Sequence, residues 1–315
     1  MPQKIISYGE ALWDLLPEGP VLGGAPCNLA YRFNSLGGQA VLVSRLGEDD
    51  LGREARARIS ALGLNTQHLQ SDSEHPTGTV EIEFDDAGQP DYDIITNVAY
   101  DFIEKSDALL AEVQDVNAIC FGLLAQRQPT SRATLHAMLD ATPQSAIKLL
   151  DINLRKDCYT METIRASLKR ATLLKINDDE ARIVAQMFDH SEQKDVPAIA
   201  RQLVEDWNLI HCVVTLAERG ACCVSKDAPA HYDPGHVIEM VDPCGAGDAF
   251  TGAFLHGLLE GMSVAECLQR GNALGAAVAT QRGATEPVED ATLRQFLSGN
   301  SRRVEDPELM AALKS

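Results

Sequence analysis

The chain has 315 residues and a formal net charge of −19 at pH 7, with 45% hydrophobic and 23% charged residues. This composition is typical of a soluble globule with enough material for one large α/β domain or two modest ones. The acidic balance argues against nucleic acid and anionic membranes as partners, because both attract basic patches. No signal-peptide core, long apolar run or CxxC pair is present, so we expect a cytoplasmic protein with reduced thiols.

Short apolar runs alternate with helical patterns along the chain. This alternation predicts an α/β fold with a doubly wound, mostly parallel sheet and helices on both faces. The predicted strands are Lys4–Tyr8, Ala40–Val43, Ala118–Phe121, Ile147–Ile152, Leu173–Ile176, Cys212–Thr215 and Cys222–Val224. The predicted helices are Asn28–Leu36, Gly52–Leu62, Ser131–Ala141, Met161–Ala171, Asp178–Phe188, Ala198–Asp206, Asp248–Gly261, Ser263–Ala279 and Ala291–Leu297.

Two segments interrupt this pattern and predict a small β-sheet lid over a site on the α/β body. Residues Thr79–Phe84 and Pro90–Ile94 alternate polar and apolar side chains around a turn, which indicates a hairpin with one covered face. The predicted division is a body of residues 1–10, 23–76 and 97–315 and a lid of residues 11–22 and 77–96. An edge hairpin without function is the alternative, and an uncovered lid face could also pair two chains into a homodimer.

The run Asp242–Phe250 places a glycine-rich turn at the start of a predicted helix. Gly245, Ala246 and Gly247 lie where a helix presents N–H groups with no intrahelical partner, and their small size lets a phosphate approach. The carboxylate of Asp248 would repel a phosphate that merely bound there. Its position therefore favours a general base that takes a proton from a hydroxyl attacking the phosphorus. A simple N-cap aspartate is the alternative.

A second glycine-rich turn, Gly23–Ala30, also leads into a helix. It is no Walker loop, because the chain lacks a Gly-Lys dipeptide, and no dinucleotide fingerprint, because GxGxxG is absent. Asn28 could hydrogen-bond a polyol, and Asp14 in the lid could accept hydrogen bonds from two sugar hydroxyls. Taken singly, Asn28 is better explained as a helix cap.

Polar residues follow the predicted strand Ile147–Ile152, at the end where an open α/β sheet places its ligand. Asp151, Asn153 and Arg155 are two residues apart, so we expect them on one face of that strand. Arg155 could offset phosphate charge or form an ordinary salt bridge at the rim. We assign Asn153 and Arg155 to substrate binding.

Asn177 and Glu180 follow the next strand and lie on one helix face. A carboxylate beside a phosphate suits a Mg²⁺ ion that retains its waters, with a plain solvated charge as the alternative. The turn Thr215–Gly220, after the strand Cys212–Thr215, suits one edge of a nucleotide site. The helix that contains Asn272–Ala277 is rich in small residues, which could leave room for a flat base or allow close helix packing. The predicted nucleotide-binding residues are Asn177, Thr215, Glu218, Gly220 and Asn272.

Together these motifs resemble those of the ribokinase/PfkB carbohydrate kinase family, and within it the fructokinase-like branch. The resemblance covers nearly the whole chain. Four motifs carry it in the family's order: Gly9-Glu10 with Asp14, Gly23–Asn28, Asn177–Glu180 and Asp242–Phe250. It implies a doubly wound sheet with a β-lid and transfer of the γ-phosphoryl group of ATP to a sugar hydroxyl.

The resemblance also implies a role for individual residues. Asp248 matches the catalytic base, and Gly245, Ala246 and Gly247 match the anion hole. Glu180 with Asn177 matches the residues that organise Mg²⁺, through water, and phosphate. The matches to the sugar-binding residues are Asp14, Gly24 and Asn28.

One position departs from the family's pattern. The family usually has threonine after the aspartate matching Asp242, where many members bind K⁺, and this chain has Pro243. Proline removes a hydroxyl and an N–H and stiffens the loop. The resemblance therefore implies ATP with Mg²⁺, and Pro243 argues against a K⁺ site at Asp242.

Fructose is the expected substrate, because the Gly-Gly-Ala-Pro-x-Asn turn resembles fructokinases more than ribokinases. The alternatives within the family are a 2-keto-3-deoxygluconate kinase, a ribokinase and a nucleoside kinase. An acidic sugar would need a cation in its pocket, and none of Asp14, Gly24 or Asn28 supplies one. From a different class, a non-catalytic sugar-sensing protein would keep the fold without the chemistry.

Overall fold

A computed structural model of the protein describes residues 2–84, 90–189, 192 and 195–313. The chain divides into an N-terminal unit, Pro2–Ala146, and a C-terminal unit that starts at Ile147. Both contain parallel strands with helices between them, so the predicted α/β class with a mostly parallel sheet is confirmed. None of the helices in the described ranges is long and apolar enough to cross a membrane.

The strands of the N-terminal unit are β1 (Lys4–Tyr8), β2 (Leu12–Leu16), β3 (Gly19–Gly23), β4 (Gln39–Gly47), β5 (Leu69–Asp72), β6 (Gly78–Phe84), β7 (Pro90–Ile94) and β8 (Ala118–Phe121). Four of them pair in parallel, with the order β8-β1-β4-β5. Its helices are α1 (Ala25–Ser35), α2 (Asp50–Ala61), α3 (Asp107–Glu112) and α4 (Pro129–Ala141). Ile5 and Ile6 in β1 are fully buried, as expected where a parallel strand is covered on both faces.

The remaining strands of this unit form a small sheet with the order β3-β2-β6-β7. β2 pairs in parallel with β6, and the two outer pairs are antiparallel. A second, smaller sheet is therefore confirmed, built from the two segments that interrupt the α/β pattern. Its role as a lid, the exact domain limits and any pairing of two chains through it stay predictions. The hairpin turn at 85–89 lies outside the described residues.

The strands of the C-terminal unit are β9 (Ile147–Asp151), β10 (Leu173–Asn177), β11 (His211–Thr215), β12 (Ala221–Ser225), β13 (His231–Asp233), β14 (Gly235–His236) and β15 (Arg303–Val304). The first five have the order β9-β10-β11-β12-β13: β10 pairs in parallel with β9 and β11, and β12 pairs antiparallel with β11 and β13. A separate antiparallel pair joins β14 to β15. The helices are α5 (Met161–Leu168), α6 (Asp178–Met187), α7 (Val196–Trp207), α8 (Ala246–Leu259), α9 (Val264–Ala279), α10 (Asp290–Leu297) and α11 (Pro307–Ala312).

Close packing of α8 against α9 fixes the position of the α8 N-terminus. A Cβ on Gly271 would lie 2.7 Å from the ring of Phe250, and one on Gly275 would lie 3.1 Å from the carbonyl oxygen of Ala246. A larger residue at either position would push the helices apart. The small residues of α9 therefore serve helix packing, one of the two explanations that the sequence left open.

Candidate active site

The turn before α8 needs glycine at its first position. Gly245 is the N-cap of the helix and adopts left-handed angles, with φ of 74°. A Cβ there would collide with Ala284. The N–H of Ala246 donates to Pro243, at 3.2 Å, and the N–H of Ala249 donates to Gly245, at 2.8 Å. The intervening N–H groups belong to the first turn of a 14-residue helix, where the helix dipole favours an anion.

Asp242 connects this turn to the segment at Gly283 through hydrogen bonds. Its Oδ1 accepts a hydrogen bond from the N–H of Cys244 at 2.9 Å, and its Oδ2 accepts one from the N–H of Gly283 at 3.0 Å. Both oxygens are thus engaged with backbone donors. This arrangement gives Asp242 a structural role in holding the turn, and the expectation that Pro243 disfavours K⁺ at Asp242 stays a prediction.

Glu180 lies in the first turn of α6 and is 6% exposed. Its Oε2 accepts from the N–H of Asn177 at 2.9 Å, while Oδ1 of Asn177 accepts from the N–H of Glu180 at 2.8 Å, which forms a capping box. Its Oε1 accepts from the N–H of Leu154 at 2.8 Å. Burial raises the pKa of Glu180 above its ordinary value, because the charged form is partly removed from water. A buried carboxylate held so firmly is not the solvated charge of the alternative interpretation.

Lys175 is the functional candidate that sequence reasoning missed. It lies opposite Asp151 in the register of β10 and β9, and its Nζ is 3.1 Å from Asp151 Oδ1. A Cβ on Gly247 would lie 3.5 Å from the same Nζ, so the ammonium group lies close to the turn that starts α8. A lysine inside an apolar strand was the available signal, since lysine is seldom buried unless it is paired.

The expected placement of Asp151, Asn153 and Arg155 on one strand face is wrong. β9 ends at Asp151, and Asn153 adopts a left-handed conformation with φ of 38°. The extended alternation that would have aligned the three side chains stops there. Asp151 is buried and turns inward to Lys175, whereas Arg155 is exposed. The substrate-binding roles of Asn153 and Arg155 stay predictions.

Four of the five predicted nucleotide-binding residues lie in two pairs. Asn177 and Thr215 end neighbouring parallel strands and lie opposite each other in the register of β10 and β11. Asn272 and Gly220 instead meet the segment at Asp233. The side-chain amide nitrogen of Asn272 donates to the Asp233 carboxylate at 2.7 Å, and a Cβ on Gly220 would collide with the Asp233 carbonyl.

These last contacts give Asn272 and Gly220 a packing role. Glu218 is exposed in a single 3₁₀ turn, Ala217–Arg219. Contacts of all these residues with a nucleotide stay predictions.

The predicted sugar residues cluster in the N-terminal unit. Asp14 lies in β2, and its Oδ2 is 2.6 Å from the point where Gly23 would carry a Cβ. Gly24 adopts φ of 108° as the N-cap of α1, and its carbonyl accepts from the N–H of Asn28 at 3.0 Å. The side chain of Asn28 is 4% exposed. The small sheet and the start of α1 thus bring Asp14, Gly24 and Asn28 to one place.

The donor set in the C-terminal unit fits a magnesium ion that keeps most of its water. Among the described residues, no group of three or more His, Cys, Asp or Glu side chains could enclose a metal. Both oxygens of Glu180 already accept backbone hydrogen bonds. Mg²⁺ in phosphate-transfer sites is typically held by one or two carboxylates and by the phosphates of the substrate, with water completing its shell. Glu180, acting through water, meets that requirement.

A helix N-terminus that favours an anion, a carboxylate in the same turn and a second, buried carboxylate are groups that phosphoryl transfer can use, here carried on an α/β fold. The pfkB family carbohydrate kinase pattern matches residues 20–291, and the chain belongs to that family. It is therefore an ATP-dependent sugar kinase.

Individual relatives agree with this assignment. Fructokinase from Escherichia coli is 27% identical over 82% of this chain and 85% of its own length. A crystal structure of fructokinase from Vibrio cholerae, with fructose, ADP and calcium bound, has a TM-score of 0.78 at 22% identity and covers 94% of this chain and 99% of its own. Aminoimidazole riboside kinase from Salmonella enterica, with its riboside and an ATP analogue, has a TM-score of 0.75 at 22% identity and covers 94% of this chain and 100% of its own.

Proposed function

We propose that this kinase transfers the γ-phosphoryl group of ATP to fructose. The observation that carries the proposal is the polar cluster of Asp14, Gly24 and Asn28, which offers hydrogen bonds to hydroxyls and no cation for an acidic group. The fructokinase of Escherichia coli matches most of the chain, which supports the same substrate. Asp14, Gly24 and Asn28 offer no partner to the carboxylate of 2-keto-3-deoxygluconate, which would have to pair with Arg155, the one cation assigned to substrate binding.

In the proposed mechanism Asp248 accepts the proton of the sugar hydroxyl as that oxygen attacks the γ-phosphorus. Residues 245–247 form the proposed anion hole: the N–H groups of Gly245 and Gly247 would donate to the oxygens of the transferred phosphoryl group, while that of Ala246 holds the turn through Pro243. Bound Mg²⁺ would neutralise part of the phosphate charge. Glu180 would hold that ion through its water shell, and Asn177 fixes the orientation of Glu180 through the capping box.

The sugar would bind through hydrogen bonds to the side chains of Asp14 and Asn28. The backbone requires glycine at position 24, because its φ is 108° and a Cβ there would lie 2.5 Å from the carbonyl oxygen of Glu10. A site built to hydrogen-bond particular hydroxyls rejects sugars that lack them, because the buried polar groups are then left unpaired. Such a site favours one sugar over others of similar size.

The test is release of ADP by the purified protein with fructose, ribose, 2-keto-3-deoxygluconate and a nucleoside as acceptors. We expect the highest kcat/KM with fructose, and phosphorus NMR of the product identifies the hydroxyl that receives the phosphate. The same panel with Asp248→Asn is the control for a contaminating kinase. A higher kcat/KM for ribose or the nucleoside would refute fructose as the substrate while leaving the kinase class intact.

A further inference from the structure

A largely buried ammonium group, that of Lys175, lies close to the proposed phosphate-binding turn, Gly245–Gly247. The Nζ of Lys175 is 3.1 Å from Asp151 Oδ1, and each of the two side chains is 12% exposed. The other oxygen of the same carboxylate, Oδ2, lies 3.2 Å from the hydroxyl of Thr251. That hydroxyl is also 2.9 Å from the carbonyl oxygen of Gly247, so a polar chain runs from Lys175 through Asp151 and Thr251 to the loop.

The ammonium group also lies close to the backbone of this turn. A Cβ on Gly247 would lie 3.5 Å from Nζ, which is an ordinary van der Waals distance. Nζ is therefore only a few ångströms from the backbone of residue 247, close enough for its charge to act on an anion bound at the N-terminus of α8.

The charges around Lys175 explain why it stays protonated. Burial alone would disfavour the ammonium form, but the carboxylates of Asp151, Glu180 and Asp248 outweigh that effect and raise the pKa of Lys175 above its ordinary value. Three carboxylates thus act electrostatically on one cation in a chain whose net charge is −19. A phosphate that enters this region meets strong repulsion unless Lys175 offsets it.

We propose that Lys175 is a positioning residue for phosphoryl transfer. Its ammonium group, held by Asp151 close to Gly247, creates a positive potential at the turn Gly245–Gly247 and offsets the charges of Glu180 and Asp248. The inference rests on the proposed role of residues 245–247 in binding the transferred phosphate. Lys175 acts through the field and shape of the loop, and it supplies no proton to the reaction.

The first test is Lys175→Met, which removes the charge and keeps a side chain of similar length. We expect kcat to fall roughly 10- to 100-fold, as is typical when a group that supports a reactive site is lost. The KM for the sugar should change by less than about threefold, since the sugar is assigned to the N-terminal unit, and ADP should bind more weakly in calorimetry. Lys4→Met is the matched control. Lys4 also forms a partly buried ion pair, with Glu112 at 2.8 Å, but at the start of β1, and its loss should leave kcat unchanged.

A purely structural ion pair would respond differently, and the double variant Lys175→Met with Asp151→Asn separates the two cases. It removes both charges, so no unpaired buried carboxylate remains to unfold the protein. We expect its melting temperature to approach that of the wild type while kcat and ADP affinity stay low relative to Asp151→Asn alone. Recovery of kcat and ADP affinity to the level of Asp151→Asn would show that Lys175 only neutralises Asp151, and would overturn the proposal.

The outcomes also separate this inference from the proposed function. If the wild type phosphorylates none of the sugars in the panel, the proposed substrate is wrong, and ADP calorimetry on the same variants still decides the role of Lys175. If the wild type phosphorylates fructose and Lys175→Met keeps full kcat and ADP affinity, the inference fails alone.

Discussion

Replacing Glu180 with glutamine tests the proposed magnesium site with little change in shape. The glutamine oxygen can keep one of the two backbone hydrogen bonds, from Leu154 or Asn177, but its amide nitrogen then faces the other N–H. Loss of one hydrogen bond to a charged, buried group costs about 1.5–3 kcal/mol.

A second effect of Glu180→Gln opposes that loss. Burial raises the pKa of Glu180 in the folded protein, so at pH values above the ordinary pKa of a glutamate, neutral pH included, this group lowers the stability of the folded state. Glutamine removes the charge and with it this cost. Because the two effects have opposite signs, we expect the free energy of unfolding to change by less than about 2 kcal/mol, which corresponds to a few degrees in melting temperature.

The magnesium dependence should change far more. We expect the Mg²⁺ concentration for half-maximal activity to rise roughly 10- to 100-fold, because the carboxylate is proposed to hold the ion through its waters. The measurement is a Mg²⁺ titration of ADP release at saturating sugar and ATP, paired with a thermal unfolding curve.

Glu266→Gln is the matched control for this experiment. Glu266 is the third residue of another capping box, where it accepts from the N–H of Ser263 at 2.8 Å, but it is exposed at the start of α9. Its Mg²⁺ titration should match the wild type. Superimposable titrations for Glu180→Gln and Glu266→Gln would show that Glu180 only caps α6, and the magnesium assignment would be withdrawn.

The remaining predictions concern the base, the sugar and the small sheet. Asp248→Asn should keep the fold and ATP binding but lose about 10²–10⁴-fold in kcat, and turnover within a few-fold of wild type would exclude a general base at this position. Asp14→Ala should weaken sugar binding by about 1–3 kcal/mol and ATP binding much less, and equal losses in calorimetry would assign Asp14 to folding instead. Hydrogen exchange of residues 79–94 should slow when the true sugar substrate binds and change little with ATP alone, as expected for a lid that excludes water. Unchanged exchange at saturating sugar would identify the small sheet as a static edge.

The strands and helices that bury a face could be predicted because burial requires apolar residues at regular spacing or in a continuous run, which is visible locally in the sequence. β9 and β10 are runs of apolar residues, and their observed limits differ from the predicted ones by a single residue. The elements that were missed carry no such pattern. β5 has the sequence LQSD at the edge of its sheet, and β14 and β15 have two residues each. Such short strands exist through pairing with a partner distant in the chain, which periodicity cannot register.

The same distinction separates the site residues that could be predicted from those that could not. The turn before α8 is local, so glycine, helix start and aspartate are all visible within a few positions. Lys175 could not be predicted, because its partner Asp151 is 24 residues away in the chain and becomes its neighbour only through the register of β10 and β9. Arg155 was misplaced for the opposite reason. Alternation was extended past the end of β9, where the left-handed Asn153 breaks it.

The charge arrangement explains how so acidic a chain can serve a substrate as anionic as ATP. At physiological ionic strength the field of exposed charges is screened over about 8 Å, so most of the net charge of −19 is not felt inside a closed site. What acts there are the groups close to the turn: the N-terminus of α8, the ammonium of Lys175 and the two carboxylates to which we assign the chemistry. Glu180 and Asp248 cannot be removed without losing the proposed metal and base. A compensating cation must then lie close enough to act on both, and Lys175, whose pKa both carboxylates raise, meets that condition.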